Sequence, residues 1–385
     1  MTPEMNLLFV NPTFRKWGGV EEVLVLLSEH FRRLGHRVVL ASEDTRDTLR
    51  GRFHPDVVHH SLRLRRTNPW VALRNFAGLL SIARRERIDL ISSHQTKTTV
   101  LCTAVGRLLG IPVVHTMHTW RADWRVRWLG FIGRNAIANS DATRDQLVRA
   151  FGLRPEAITL IRDVPPLMSE PSAAAVSRVR EEFGVSPDQP LLVCLGRLTE
   201  DKGHIVLLRA MPEIRREFPS ARLLVVGKGH LRSALTEQVA AMQLADCVTL
   251  TGYREDANAI LAAATVAVLP SLREAYPLTN IECLRLGIPL VSTAVDGIPE
   301  LVKDGENGVL VPPANPPALA EAVCGLLRDP ALARRFAEAG RAQIGADFSP
   351  IVMCQRYEAY FASLVRRDGR PELGPVLNRE SRNVS

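Results

Sequence analysis

Short apolar runs alternate with longer amphipathic stretches along most of this chain. In the first half the runs fall at 7–10, 37–41, 88–93, 112–116 and 135–139, and helical patterns fill 20–34, 70–85 and 98–109. A run of four to six apolar residues fits a strand buried on both faces, and the helical spacing between runs fits crossover connections. That alternation predicts βαβ units and a parallel sheet. A second series opens at 191–195 and continues to about 345. Between the two, residues 164–189 are rich in Pro, Ser and Ala around one helical pattern at 176–183, which reads as a linker. Residues 350–365 space Val352, Met353, Tyr357, Tyr360, Phe361 and Leu364 as one face of a helix. The polar stretch after Arg366 predicts disorder. The expected organisation is therefore a doubly wound α/β domain over 1–165, a linker at 166–188, a second such domain over 189–345, a terminal helix at 346–365 and a disordered tail at 366–385.

Bulk properties narrow the setting. A length of 385 residues suits two ordinary domains, and an apolar fraction of 46% suits a globular enzyme. No apolar run reaches the ~18 residues of a membrane span, and residues 1–6 lack the layout of a secretory signal. Cys102, Cys194, Cys247, Cys283, Cys324 and Cys354 are scattered with no C-x-x-C pair, so they read as reduced core residues of a cytoplasmic protein. The net charge of +8 implies attraction to anions: nucleic acid, anionic lipid or a phosphorylated glycan. Without zinc-finger spacing or an aromatic RNA-binding strand, nucleic acid ranks last.

Two clusters carry chemistry. Glu274 follows the apolar run 265–269 and the turn Pro270-Ser271, just past the end of a buried strand, where open α/β sheets bind ligands. Glu282 falls eight positions later, on a helix beginning near Leu278, so both carboxylates can face one crevice. Paired carboxylates beside a helix N-terminus suit a ligand with hydroxyls and a phosphate. Upstream, Gly196-Arg197-Leu198-Thr199-Glu200-Asp201-Lys202-Gly203 links the strand at 191–195 to a helix at 204–218. There glycines admit a close backbone, and Arg197, Lys202 and the helix N-terminus converge as a diphosphate requires. Lysine is scarce: only Lys16, Lys97, Lys202, Lys228 and Lys303 occur, which sharpens the case for Lys202.

With these motifs the chain resembles the retaining GT-B glycosyltransferases of the glycosyl transferases group 1 superfamily, the family 4-like enzymes. The resemblance runs through Gly196-Arg197-Leu198 with Lys202-Gly203, Val226-Gly227-Lys228-Gly229, Glu274 to Glu282, Gly287-Ile288-Pro289, Asp296-Gly297-Ile298-Pro299-Glu300 and Asp304-Gly305-Glu306-Asn307-Gly308. It implies two Rossmann-like domains facing across an interdomain cleft, the first binding acceptor and the second binding nucleotide sugar. It also implies transfer of a hexosyl unit from a nucleoside diphosphate sugar with retention of configuration. The donor expected first is a UDP-hexose, with GDP-mannose next. Arg197, Lys202 and helix N-termini would stabilise the leaving diphosphate without a metal or other cofactor. No Asp-x-Asp triplet occurs in the chain, in keeping with that. Glu274 would hold donor-sugar hydroxyls, Glu282 the ribose, and Gly227 and Tyr253 would line the nucleotide side. Where the family commonly has an aromatic and then glycine, this chain has Tyr276-Pro277, so phosphate contact must come from the N–H groups of Leu278 and Thr279.

The first domain adds further candidates. Lys16-Trp17-Gly18-Gly19-Val20 is a glycine turn opening a helix, with Gly19 expected at the donor. The family usually places a histidine just past the strand equivalent to 112–116. His118 matches that position better than His115, and is expected to bond a sugar hydroxyl near the reaction centre. His94 likewise follows the strand at 88–93. In the run 120–128, Trp120, Trp124 and Trp128 recur at helical spacing among Arg121, Arg125 and Arg127. This segment, with Trp17, is either a stripe packed on the domain or a surface for an anionic membrane or phosphorylated acceptor. The acceptor expected is a hydroxyl of a bacterial-type surface glycan or glycolipid such as lipopolysaccharide, with the enzyme peripheral on the inner face of the plasma membrane. A small soluble acceptor, and a noncatalytic sugar-nucleotide binder, remain as alternatives.

Overall fold

The structure, a computed structural model, describes residues 4–14, 18–65, 68–118, 134–345 and 348–365. The chain divides into two compact units, Met1–Arg162 with Ile351–Ser385, and Asp163–Pro350. In the first unit the elements follow as β1 (Asn6–Val10), α1 (Gly19–Arg33), β2 (Arg37–Ser42), α2 (Arg46–Leu49), β3 (Val58–Ser61) and α3 (Pro69–Arg85). Then come β4 (Leu90–Ser93), α4 (Thr96–Leu109), β5 (Val113–Met117), β6 (Asn135–Ala138), α5 (Asp141–Phe151) and β7 (Ile158–Leu160). All pair in parallel, in the order β3-β2-β1-β4-β5-β6-β7. The order reverses between β1 and β4, which puts the ligand-binding edge of this sheet at their C-terminal ends. The central strands are the apolar runs of the sequence, because both faces are covered by helices. β3 and β7 escape that pattern: each is a short edge strand with half-exposed residues, and Val58-His59-His60-Ser61 has no apolar periodicity.

The second unit comprises α6 (Ala173–Glu182), β8 (Leu191–Leu195), α7 (His204–Glu217), β9 (Arg222–Val226), α8 (Arg232–Ala241), β10 (Val248–Gly252) and α9 (Ala257–Ala262). It continues with β11 (Val266–Leu269), α10 (Leu278–Leu286), β12 (Leu290–Thr293), α11 (Ile298–Leu301), β13 (Val309–Val311), α12 (Pro316–Arg328) and α13 (Pro330–Gln343). Its six strands are also parallel, ordered β10-β9-β8-β11-β12-β13. Here the order reverses between β8 and β11. Leu207, Met211, Leu319 and Val323 pack one face of this sheet, and Ile260, Ile281 and Leu284 the other. Much of the segment read as a linker belongs to this unit. Val179 and Val185 are buried in its core, and Arg180 donates to the carbonyls of Ala263 and Gln189 at 3.1 and 2.8 Å. Its few apolar positions sit among Pro and Ser, which hid that packing from the sequence.

The closing helix α14 (Pro350–Leu364) returns to the first unit. Phe361 is fully buried and stacks on Phe31 with ring centroids 5.5 Å apart, while Tyr357 is equally buried beside it. Each ring removed from water contributes about 2–3 kcal/mol, enough to hold this helix to residues more than 300 positions away in sequence. All six cysteines are buried and unpaired. No helix among the described residues is long and apolar enough to cross a membrane. The tail 366–385 lies outside the described residues.

Candidate functional site

At the reversal point of the second sheet, the loops leaving β8 and β11 lock together. Gly203, at φ +65°, sits where a Cβ would come within 2.0 Å of the Pro270 carbonyl oxygen, so only glycine permits this approach. Across the same junction the carbonyl of Asp201 accepts from the N–H groups of Leu272 and Arg273, at 2.7 and 3.2 Å. The outcome is an ion pair between the Lys202 ammonium and the Glu274 carboxylate, with 21% and 16% of the two side chains exposed. Sequence reasoning placed both residues at this edge but gave one to phosphate and the other to sugar. The structure makes each the other's counter-ion. Glu274 is held from behind as well. Its N–H donates to Asp296 at 2.9 Å, and its carbonyl accepts from Gly297 at 3.1 Å, so the Asp296-Gly297 turn fixes the backbone of the glutamate.

A second glycine contact sets the neighbouring loop. Gly227 adopts φ +141°, and a Cβ there would lie 1.9 Å from the Gly196 carbonyl oxygen. The N–H of Leu198 donates to the Lys228 carbonyl at 3.1 Å, so the turns after β8 and β9 run against each other. Arg197, on the first of these turns, is half exposed, with Asp201 3.9 Å away. Lys228 lies over the exposed ring of Tyr253, 4.8 Å from its centroid. Gly227, Lys228 and Tyr253 thus gather at the ends of β9 and β10. Downstream, α10 starts at Leu278 behind Pro277 with no side-chain cap. The first N–H groups, of Leu278 and Thr279, have no carbonyl within the helix to bond and are free to meet an anion. Glu282 lies one turn along the same helix, partly buried.

His204, which sequence reasoning passed over, is the first residue of α7 and is buried, its ring nitrogens without a well-aligned partner beyond the nearby backbone of Thr199. Burial, aided by the charge of Lys202, pushes its pKa down to about 4, so at neutral pH it is an uncharged imidazole below the loop.

In the first unit, His118 directly follows β5 and His94 directly follows β4, the neighbouring strand. The two imidazoles meet, His94 Nδ1 to His118 Nε2 at 2.8 Å, with the rings 18° from parallel. His94 Nε2 lies 3.0 Å from the Ser92 hydroxyl. His115, inside β5, bonds Thr99 Oγ1 through Nδ1 at 2.8 Å. Burial first, then the neighbouring histidines, holds His94 well below the ordinary imidazole range, and burial brings His115 down to about 4. His94 is therefore a neutral partner that orients His118. The sequence signal for it was Ser92-Ser93-His94, three polar residues where an apolar strand ends. Among the described residues no group of three or more His, Cys, Asp or Glu side chains is placed to hold a metal ion. Gly19 is the exposed first residue of α1, behind Gly18 in extended conformation. Trp17, Arg121, Trp124 and Arg125 lie outside the described residues.

Two doubly wound parallel sheets, with an ion pair and a helix N-terminus at the reversal point of the second, make that edge the ligand-binding edge of an α/β enzyme. Comparison with known proteins agrees. Residues 17–163 match Glycosyltransferase Family 4, and residues 189–329 match Glycosyl transferases group 1. The alpha-maltose-1-phosphate synthase of Mycobacterium tuberculosis is 31% identical over 309 residues, covering 71% of this chain and 78% of that protein. A GDP-mannose-dependent alpha-(1-6)-phosphatidylinositol monomannoside mannosyltransferase of Mycolicibacterium smegmatis is 28% identical over 348 residues, 85% of this chain and 83% of that protein. Among solved structures, Anabaena HepE in complex with UDP and glucose superposes with a TM-score of 0.82 at 21% identity, covering 94% of this chain and all of that one, a likeness of fold. The chain belongs to the group 1 glycosyltransferases and is a hexosyltransferase of GT-B architecture.

Proposed function

We propose that this enzyme moves a hexosyl unit from a nucleoside diphosphate hexose, UDP-hexose first and GDP-mannose second, to a hydroxyl of a surface glycan or glycolipid, with retention of configuration. The observation that carries the reading is the Lys202–Glu274 pair at the sheet's reversal point, beside the Lys228–Tyr253 contact. An ammonium has three donors. Lys202 can keep one on Glu274 and turn the others to a diphosphate, with Arg197 as a second cation. Glu274, its backbone fixed by Asp296 and Gly297, accepts from sugar hydroxyls, and Glu282 is assigned the ribose hydroxyls. Tyr253 offers an exposed ring for a base to stack on.

In the reaction the bond from the anomeric carbon to the diphosphate oxygen breaks and one to the acceptor oxygen forms on the same face. The acceptor proton passes to the leaving phosphate. Lys202, Arg197 and the N–H groups of Leu278 and Thr279 stabilise the charge that develops there, in place of a metal ion. His118, oriented by His94, is assigned a hydrogen bond to the donor sugar, and Gly19 a backbone contact with the donor. A lipid-linked acceptor is favoured by the likeness to a mannosyltransferase whose name carries a phosphatidylinositol glycan.

Thermal-shift measurement against UDP-, GDP- and ADP-hexoses tests the donor. A ligand at about a hundred times its Kd stabilises the fold by about 2.7 kcal/mol, and one of the three series should stand apart. Glu274→Gln should lower transfer about a hundredfold or more and, because it leaves Lys202 without its counter-ion, should also lower the melting temperature without ligand. Silence from every nucleotide sugar, or wild-type transfer by Glu274→Gln, would refute the reading.

A further inference from the structure

Trp70, at the N-terminus of α3, is 76% exposed, and Leu73, one turn on, is 59% exposed. Neither serves the core. The helix buries Asn75, Leu79, Ile82 and Ala83, a stripe on another face. Trp70, Leu73, Arg74 and Ala77 share the exposed face at i, i+3, i+4 and i+7, and Arg63 and Arg65 stand exposed in the segment leading into the helix. No carboxylate occurs between Asp56 and Glu86. Among the described residues no ion pair engages Arg63, Arg65 or Arg74. The nearest acid in this segment's contacts is Glu43, which accepts the backbone N–H of Arg65 at 3.1 Å. At the far end of α3, by contrast, Arg85 faces Glu86, which also binds Arg37 and His60. Among the described residues the end that carries the exposed indole thus has three exposed arginines and no carboxylate side chain paired with any of them, whereas the far end has Glu86 to offset part of its charge.

We infer that the first turn of α3, with Trp70 and Leu73 ringed by Arg63, Arg65 and Arg74, is a docking surface for an anionic lipid bilayer. An indole is stable where apolar and wet layers meet, and guanidinium groups match lipid phosphates. A second copy of the chain is a poorer occupant, because a two-fold contact through this face would set its arginines against one another. The surface does not rest on the proposed transfer reaction, although a lipid-linked acceptor would be delivered to it.

The test is co-sedimentation of the full chain with vesicles of phosphatidylglycerol and phosphatidylcholine in equal parts, and with phosphatidylcholine alone. Wild type should partition to the first and not the second, with binding falling as salt rises. Each arginine near an anionic surface is worth roughly a factor of five, so the triple variant Arg63→Ala, Arg65→Ala, Arg74→Ala should bind about a hundredfold more weakly. Trp70→Ser with Leu73→Ser should lose at least about tenfold, with melting temperature and nucleotide-sugar thermal shift unchanged. That last readout separates failure here from failure of the donor reading. Wild-type partition by the Trp70→Ser, Leu73→Ser variant would move the contact elsewhere and overturn the inference. So would absence of binding by wild type, equal binding to neutral vesicles, or self-association abolished by the variant without any vesicle binding.

Discussion

Lowering the pH from 7 to about 5 should destabilise both units through buried histidines, before the carboxylates contribute much. His115 in the first unit and His204 in the second are 0% and 3% exposed, and burial depresses each to about 4. In the unfolded chain both titrate near the ordinary value of about 6.5. Their folded pKa lies below the unfolded one, so the stability they contribute is complete above about pH 6.5. It is lost as pH falls towards 4, where the unfolded chain takes up protons the folded chain refuses. Linkage gives a loss of about 2 kcal/mol per histidine at pH 5, approaching about 3 kcal/mol at pH 4. His94 and His36, both lowered chiefly by burial, add to the first unit in the same direction. Glu29, held down to about 2 chiefly by its bond to Arg32, acts only below its ordinary value of 4.5 and leaves this window clear. Urea unfolding at the two pH values, followed by probes specific to each unit, measures the loss. The decisive variant is His204→Leu. The ring nitrogens of His204 have no well-aligned partner beyond the backbone of Thr199, so the substitution should cost little at pH 7 and should erase the second unit's share of the acid loss. If His204→Leu loses as much between pH 7 and 5 as wild type does, the reasoning fails.

Two further outcomes follow from geometry. Gly227→Ala places a Cβ 1.9 Å from the Gly196 carbonyl at a φ of +141°, whereas Gly305→Ala, at φ +72°, meets nothing within 4 Å. The first should cost at least about 3 kcal/mol and the second about 1 kcal/mol, so equal melting temperatures for the two variants would contradict the packing described. His94→Phe should keep the ring stack but remove the nitrogen that meets His118 at 2.8 Å. The expected signature is a fall in kcat of about tenfold or more, a changed pH–rate profile and little change in donor KM. An unaltered profile would reduce His94 to a packing residue.

The glycine and glutamate motifs were legible because local rules enforce them. A strand end, a glycine turn and a helix start have spacings that survive without tertiary knowledge, which is why Lys202, Glu274 and Leu278 were placed at one sheet edge from sequence, while Gly227 came from the family resemblance. Buried parallel strands advertise themselves by being apolar on both faces. The edge strand Val58–Ser61 does not, since only one side of it is paired. Pairing between distant residues lies beyond such rules. That Lys202 meets Glu274, that His94 meets His118, and that Phe361 stacks on Phe31 depend on which strands lie side by side and where a final helix returns. Periodicity records how much of a side chain is buried but not against what. The exposure of Trp70 shows the same limit from the other side: an apolar residue at the start of an amphipathic helix looks like core until the packed face is known to be elsewhere.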